Sequence, residues 1–123
     1  MLLCVCLGSA LAAPQAEQHP RRKKAQVGKA SIYSHRFAGR RMANGERMDP
    51  RSDNAASKTL PLGTKARVTN LKSGRSALVT IEDRGPFVPG RIVDLSPATA
   101  AQIGLTHKDG VAPVEVVPVE LPK

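Results

Sequence analysis

Three short runs in the middle of the chain, "TKARVTNL", "RSALVTIE" and "GRIVDLS", set β-branched and aliphatic residues in alternation or in tight apolar clusters. Each is too short for an amphipathic helix, and each is bounded by turn residues, "LKSG" after the first and "DRGPFVPG" after the second. Their backbone groups need partners, so they read as strands of one sheet. Two further runs extend the pattern. "KASIYS" is a short strand ahead of them, and "APVEVVPVEL" behind them sets alternate valines on one face, with Pro118 expected to turn the end of that strand into an edge. The stretch "FAGRRMANGERMDPRSDNAASK" reads as a long turn-rich connection, punctuated by Asn44-Gly45 and Asp49-Pro50.

One segment breaks the period of two. In "SPATAAQIGL", Ser96 suits an N-cap, Pro97 the first helical position and Gly104 the C-terminal stop, which predicts one short helix. Five or six strands and one helix predict a mainly β fold, and closure into a small barrel is how so few strands leave no exposed edge. The 123 residues fit one domain, and with no Trp, one Tyr and two Phe its core must come from Val, Ile, Leu and Ala.

The chain ahead of this domain is different. Residues 1–12, "MLLCVCLGSALA", carry no charge and end in Ala10-Leu11-Ala12, as the apolar region and cleavage site of a secretory signal do. The basic segment expected before such a region is missing, so either the true start is expected upstream or the start codon is misassigned. Cys4 and Cys6 both lie inside it, leaving a mature chain from Ala13 without thiol chemistry. A lipid-attachment cysteine would follow the apolar region, so lipoprotein anchoring is not supported by this sequence. Residues 13–27 read as a basic disordered linker, whose Arg21, Arg22, Lys23 and Lys24 suit weak association with an anionic envelope or membrane surface.

Nineteen Lys and Arg against ten Asp and Glu give a net charge of +9. That favours an acidic polymer. Nucleic acid is not the expected partner, because stacking aromatics are nearly absent and the chain is expected to carry an export signal.

Against that excess of cations, "TIEDRGPFVPGRIVDLS" gathers Glu82, Asp83 and Asp94. These carboxylates are either ties in turns or the seat of proton chemistry. As ties, Asp83 would cap "RGPF" or pair with Arg84, and Asp94 would bond loop amides before the helix. Glu46, in "ANGERMD", would be a solvated loop carboxylate. As an acid near neutral pH, Asp83 would need its pKa raised by burial or by a like charge from Glu82, Glu46 or Asp94. Strand alternation puts Glu82 on the opposite face from Asp83 and argues against it as the neighbour. His35 and His107 sit in loops, and the three scattered histidines lack metal-ligand spacing. No phosphate loop, nucleophile elbow or Cys-His pair is present.

From Gly28 to Glu120 the chain resembles the double-psi β-barrel domain of the rare lipoprotein A family. The resemblance rests on "GKASIYS", "FAGRRMANGERMD", "AASKTLPLGTKARVTNLKSGRSALVTIEDRGPF" and "GRIVDLSPATAAQIGL" in the family's order. It implies a small six-stranded double-psi β-barrel over residues 28–120, with a groove holding a glycan strand of peptidoglycan. It also implies an exported protein of the periplasm or envelope, monomeric and without metal or other cofactor.

The activity implied is endolytic lytic transglycosylation. A carboxylic acid protonates the glycosidic oxygen between N-acetylmuramic acid and N-acetylglucosamine, and the muramyl 6-hydroxyl closes a 1,6-anhydro ring, so one carboxyl group suffices. The resemblance assigns Asp83, Glu46 and Ser57 as catalytic, and Tyr33, Asn44, Lys58, Arg84 and Asp94 as substrate-binding. Ser57 stands where the family has His, Ile32 where it has Trp, and Ala38 and Met42 also depart from its pattern. A hydroxyl can hydrogen-bond but cannot relay a proton as imidazole does. A non-catalytic peptidoglycan-binding barrel is the alternative reading.

Overall fold

A computed structural model of the chain describes residues 24–122, so the expected signal (1–12) and most of the expected linker (13–27) lie outside the described residues. Six strands follow in order: β1 (Gln26–Ile32), β2 (Asn54–Ala56), β3 (Lys65–Asn70), β4 (Ser76–Asp83), β5 (Arg91–Leu95) and β6 (Val111–Glu120). A 3₁₀ turn, His35–Phe37, follows β1, and the helix α1 (Pro97–Gln102) lies between β5 and β6. The linker reading is corrected at its end, since Gln26 and Val27 pair with Val116 and Glu115 of β6.

The strands close into a barrel in the order β1-β5-β2-β4-β3-β6. The pairs β1–β5 and β2–β4 are parallel. The other four are antiparallel. This is the mainly β, six-stranded double-psi barrel that the family resemblance implied. A barrel of six strands has a narrow interior, and the sequence fills it with small side chains. Ala30, Ala55 and Ala66 are fully buried beside Val68, Val79, Ile81, Val93, Leu95, Val114 and Val116. In β3 and β4 every second residue is buried while Lys65, Arg67, Ser76 and Leu78 face out, as a period of two requires.

The helix obeys its sequence signals at both ends. Ser96 Oγ accepts from Thr99 N at 3.2 Å and donates to Ser52 O at 2.6 Å. At the other end Gly104 takes φ of 77°, with its N–H on Ala101 O and the Leu105 N–H on Ala100 O, a Schellman stop.

One expectation needs correction and one holds. Asn54–Ala56, read as part of the long connection, is a fully buried strand flanked by β4 and β5. Three residues cannot display a period, and strands covered on both faces do not alternate. Pro118 falls, as expected, in the end of β6 that is an edge: up to Val116 the strand pairs with both β1 and β3, and beyond it with β3 alone. It sits beyond Val116, where β1 begins at Gln26, so no partner on that side needs its missing N–H.

Candidate active site

The site starts from an irregularity in β4. Ala55 of β2 faces Ile81, but Ala56 faces Asp83, so Glu82 is an extra residue in the β4 ladder. Ile81 is fully buried in the barrel, and unbroken alternation would send Asp83 after it into the interior. The bulge turns Asp83 instead onto the face that Ala56 occupies. On β2's other side Ala56 faces Asp94 of β5, and Asp94 faces Ser31 of β1. Ser31, Asp94, Ala56 and Asp83 thus form one row across four strands. At about 4.8 Å per strand spacing, the two aspartate backbones are about 10 Å apart.

Each carboxylate is held by a different neighbour. Asp83 Oδ2 accepts from the Tyr33 hydroxyl at 3.0 Å, and its Oδ1 accepts from the Ala43 and Arg84 backbone N–H groups, both at 2.9 Å. Among the described residues no guanidinium clamps it. Asp94 accepts a hydrogen bond from the Ser31 hydroxyl. Burial pushes the Asp94 pKa above the ordinary carboxylate value, and the nearby Asp83 charge adds to the rise, against the opposing pull of Ser31 and Arg91. Tyr33 is buried, and burial first, then the Asp83 charge, hold its hydroxyl firmly protonated and available as a donor. The tyrosine ring rests in a second apolar cluster with Met42, Met48 and Ala56 under the long connection.

Above this row lies an open trench of about 450 Å³. Its floor and walls include Ser31, Tyr33, Asp83 and Asp94, the cations Arg36 and Arg91, and the rings of Phe37 and Phe87. Phe37 meets Tyr33 edge to face, with centroids 5.8 Å apart, and Arg40 sits 6.0 Å from the Phe37 centroid. Phe87 is 76% exposed.

Of the eight residues expected in the site, four reach the trench: Tyr33, Asp83, Arg84 and Asp94. Arg84 reaches it only in part, since one guanidinium nitrogen donates to the Ser57 and Leu60 carbonyls at 2.8 and 2.6 Å. That bond pair ties the 57–60 turn to the foot of the β4–β5 loop. The other four do not line the trench, although the Ser57 and Asn44 backbone N–H groups donate to the Asp83 and Glu82 carbonyls, both at 3.1 Å. Ser57 is buried, and its Oγ accepts from Thr59 N and Leu60 N at 3.2 and 3.0 Å, the local turn that a serine makes and a histidine does not. Lys58 is exposed on that turn. Asn44 is also exposed, and its side-chain oxygen accepts from Glu46 N at 2.9 Å. Glu46 lies outside the trench lining on the same exposed turn, close enough to Glu82 to help burial raise the Glu82 pKa.

Sequence reasoning missed Ser31, Arg36, Phe37, Phe87 and Arg91. Ser31 was legible in principle, since it shares a strand face with Tyr33 two residues on. It also missed that His35 and His107, far apart in sequence, stack with ring centroids 5.6 Å apart.

The fold and the trench define a class: double-psi β-barrels in which an acidic row crosses the outer face beneath an open cleft. Solved structures share that fold. The Streptomyces papain inhibitor matches with a TM-score of 0.62 at 24% identity, covering 81% of this chain and 98% of that one. The apo expansin of Clavibacter michiganensis matches at 0.60 and 23%, covering 80% and 52%. The family model described as lytic transglycolase matches residues 25–116. The chain belongs to that family. A probable endolytic peptidoglycan transglycosylase RlpA of Synechocystis sp. is 50% identical over 92 residues, covering 75% of this chain and 28% of the relative. The endolytic peptidoglycan transglycosylase RlpA of Neisseria meningitidis serogroup A is 46% identical over 91 residues, covering 74% and 38%. The chain therefore spans well under half the length of these relatives.

Proposed function

We propose that this barrel is an endolytic lytic transglycosylase of peptidoglycan, with Asp83 as the proton-transferring group. The observation that carries the reading is the bulge at Glu82, which spends a ladder irregularity on moving one carboxylate out of a sealed barrel and into an open trench. The names of the relatives supply the substrate class. In the reaction, the Asp83 carboxyl gives its proton to the glycosidic oxygen as the bond from the muramyl anomeric carbon to that oxygen breaks. The muramyl 6-hydroxyl oxygen bonds to the same carbon, and its proton returns to Asp83. Water is neither consumed nor released, and the residue ends as it began. Tyr33 and the Ala43 and Arg84 amides orient the carboxyl group, and Asp94 with Ser31 lies alongside to meet sugar hydroxyls.

The reading carries export to the cell envelope with it, and places the basic run Arg21–Lys24 near an anionic surface there. A monomer suffices, since the row of four residues comes from one chain.

The burial of Ser57 favours a second reading, a barrel that grips glycan without cleaving it, because no protic group at that position faces the trench. Incubation with purified, peptide-stripped glycan strands separates the two. Soluble fragments from the wild type, reduced about 10²–10⁴-fold in Asp83→Asn, support the enzyme. Wild-type protein that sediments with sacculi and releases nothing supports the binder.

A further inference from the structure

The two phenylalanines are placed in parallel. Phe37 follows Tyr33 by four residues in the β1–β2 connection, and Phe87 follows Asp83 by four residues in the β4–β5 connection. Tyr33 and Asp83 are themselves joined by a hydrogen bond. The pair at the heart of the trench therefore carries an aromatic ring on each of its outgoing loops, and both rings line the trench. These are the chain's two Phe residues, and neither serves the barrel core.

The exposure of Phe87 is not explained by packing. Phe87 is 76% exposed and its neighbour Val88 44% exposed, beside a cleft whose floor is polar. The Phe87 ring lies against Gly85, where an added Cβ would come within 3.5 Å of it. Phe37 is steadied by Tyr33 on its edge and by Arg40 near its face. Apolar walls around a few convergent polar groups are the make-up of a small-ligand site. A pyranose ring fits that make-up, because its axial C–H bonds give it an apolar face while its hydroxyls point outward at the rim. An aromatic ring offers such a face a large flat area at the entropic cost of two torsions.

We propose that Phe87, with Phe37 as the second wall, is a sugar-stacking platform that positions consecutive pyranose rings over Asp83. This rests on the glycan reading above. It makes Phe87 a specificity-determining residue whose loss weakens binding to the strand while the proton transfer at Asp83 persists.

The test uses the full chain and purified, peptide-stripped glycan strands, measuring both binding and turnover. Because Phe87 is outside the core, Phe87→Ala leaves the thermal midpoint unchanged. It is expected to weaken strand binding and raise KM about tenfold, with a smaller change in kcat. Phe87→Trp restores binding, whereas Phe87→Leu, apolar but without a ring, does not. Wild-type affinity in Phe87→Ala or in Phe87→Leu overturns the platform and leaves the glycan reading standing. Absence of binding by the wild type overturns both.

Discussion

Replacing Tyr33 by Phe removes one oxygen from the centre of the site and nothing else. That oxygen donates to Asp83 Oδ2 at 3.0 Å and is one of three donors that fix the carboxylate, the others being the Ala43 and Arg84 amides. A hydrogen bond to a charged group contributes about 1.5–3 kcal/mol. Asp83 is only half-buried, so water replaces part of what is lost and the cost falls to about 1.5 kcal/mol. The ring still packs on Met42, Met48 and Phe37, so no cavity term is added. A domain of this size then melts about 6–12 °C lower. The carboxyl group also loses its lateral restraint, and if the whole 1.5 kcal/mol appears in the barrier, cleavage of glycan strands slows about tenfold. Thermal melts followed by circular dichroism and single-turnover digests of glycan strands measure the two effects. A variant with the wild-type midpoint and the wild-type rate would show that the Tyr33–Asp83 bond neither stabilises the fold nor orients the acid. The reasoning from the three donors that hold Asp83 would then be wrong.

Other consequences are independent of that one. Asp94 has a raised pKa in the folded chain, so between the ordinary carboxylate value and the raised one the native state holds more protons than the unfolded state, and stability falls as pH rises through that window. Asp94→Asn cannot titrate and keeps an acceptor for Ser31, so urea unfolding should find it more stable than wild type at about pH 7, with the advantage gone at about pH 3. Ser57→Ala strips the acceptor from the Thr59 and Leu60 amides and should cost about 1–2 kcal/mol in denaturant melts, while kcat per folded molecule stays within about twofold because the hydroxyl does not face the trench. Arg84→Ala frees the 57–60 turn from its two carbonyl bonds, and hydrogen exchange of the Thr59 and Leu60 amides should speed up more than that of the barrel strands. Gly28→Ala should lower the melting temperature without touching the trench, because its Cβ would come within 2.7 Å of Ile92 Cγ2.

The barrel was legible because its long strands bury one face each and announce it by alternation, as β3, β4 and β6 do. The helix was legible because Ser96, Pro97 and Gly104 each act through the backbone within a few residues. What could not be read depends on partners distant in the chain. Asn54–Ala56 is a strand only because β4 and β5 flank it. Asp83 was assigned to the cleft from a motif, while plain alternation after Ile81 would have buried it; the bulge that resolves the conflict is set by pairing to β2, which no local pattern shows. The same gap explains the site residues that did not arrive. Ser57, Lys58, Asn44 and Glu46 were assigned from position in a motif, yet the first is consumed by its own turn and the others stand on exposed turns outside the trench lining. Phe37 and Phe87 went unnoticed because nothing in a linear reading says that two loops fifty residues apart border one trench.

The chemical nature of the new chain ends tests the central claim most directly. Glycan strands digested by the wild type and weighed by mass spectrometry should carry 1,6-anhydro muramyl termini, one water lighter than hydrolytic ends, and Asp83→Asn should yield about 10²–10⁴-fold fewer of them. Ordinary reducing ends, or anhydro ends that persist undiminished in Asp83→Asn, would contradict a ring closure driven by this carboxyl group.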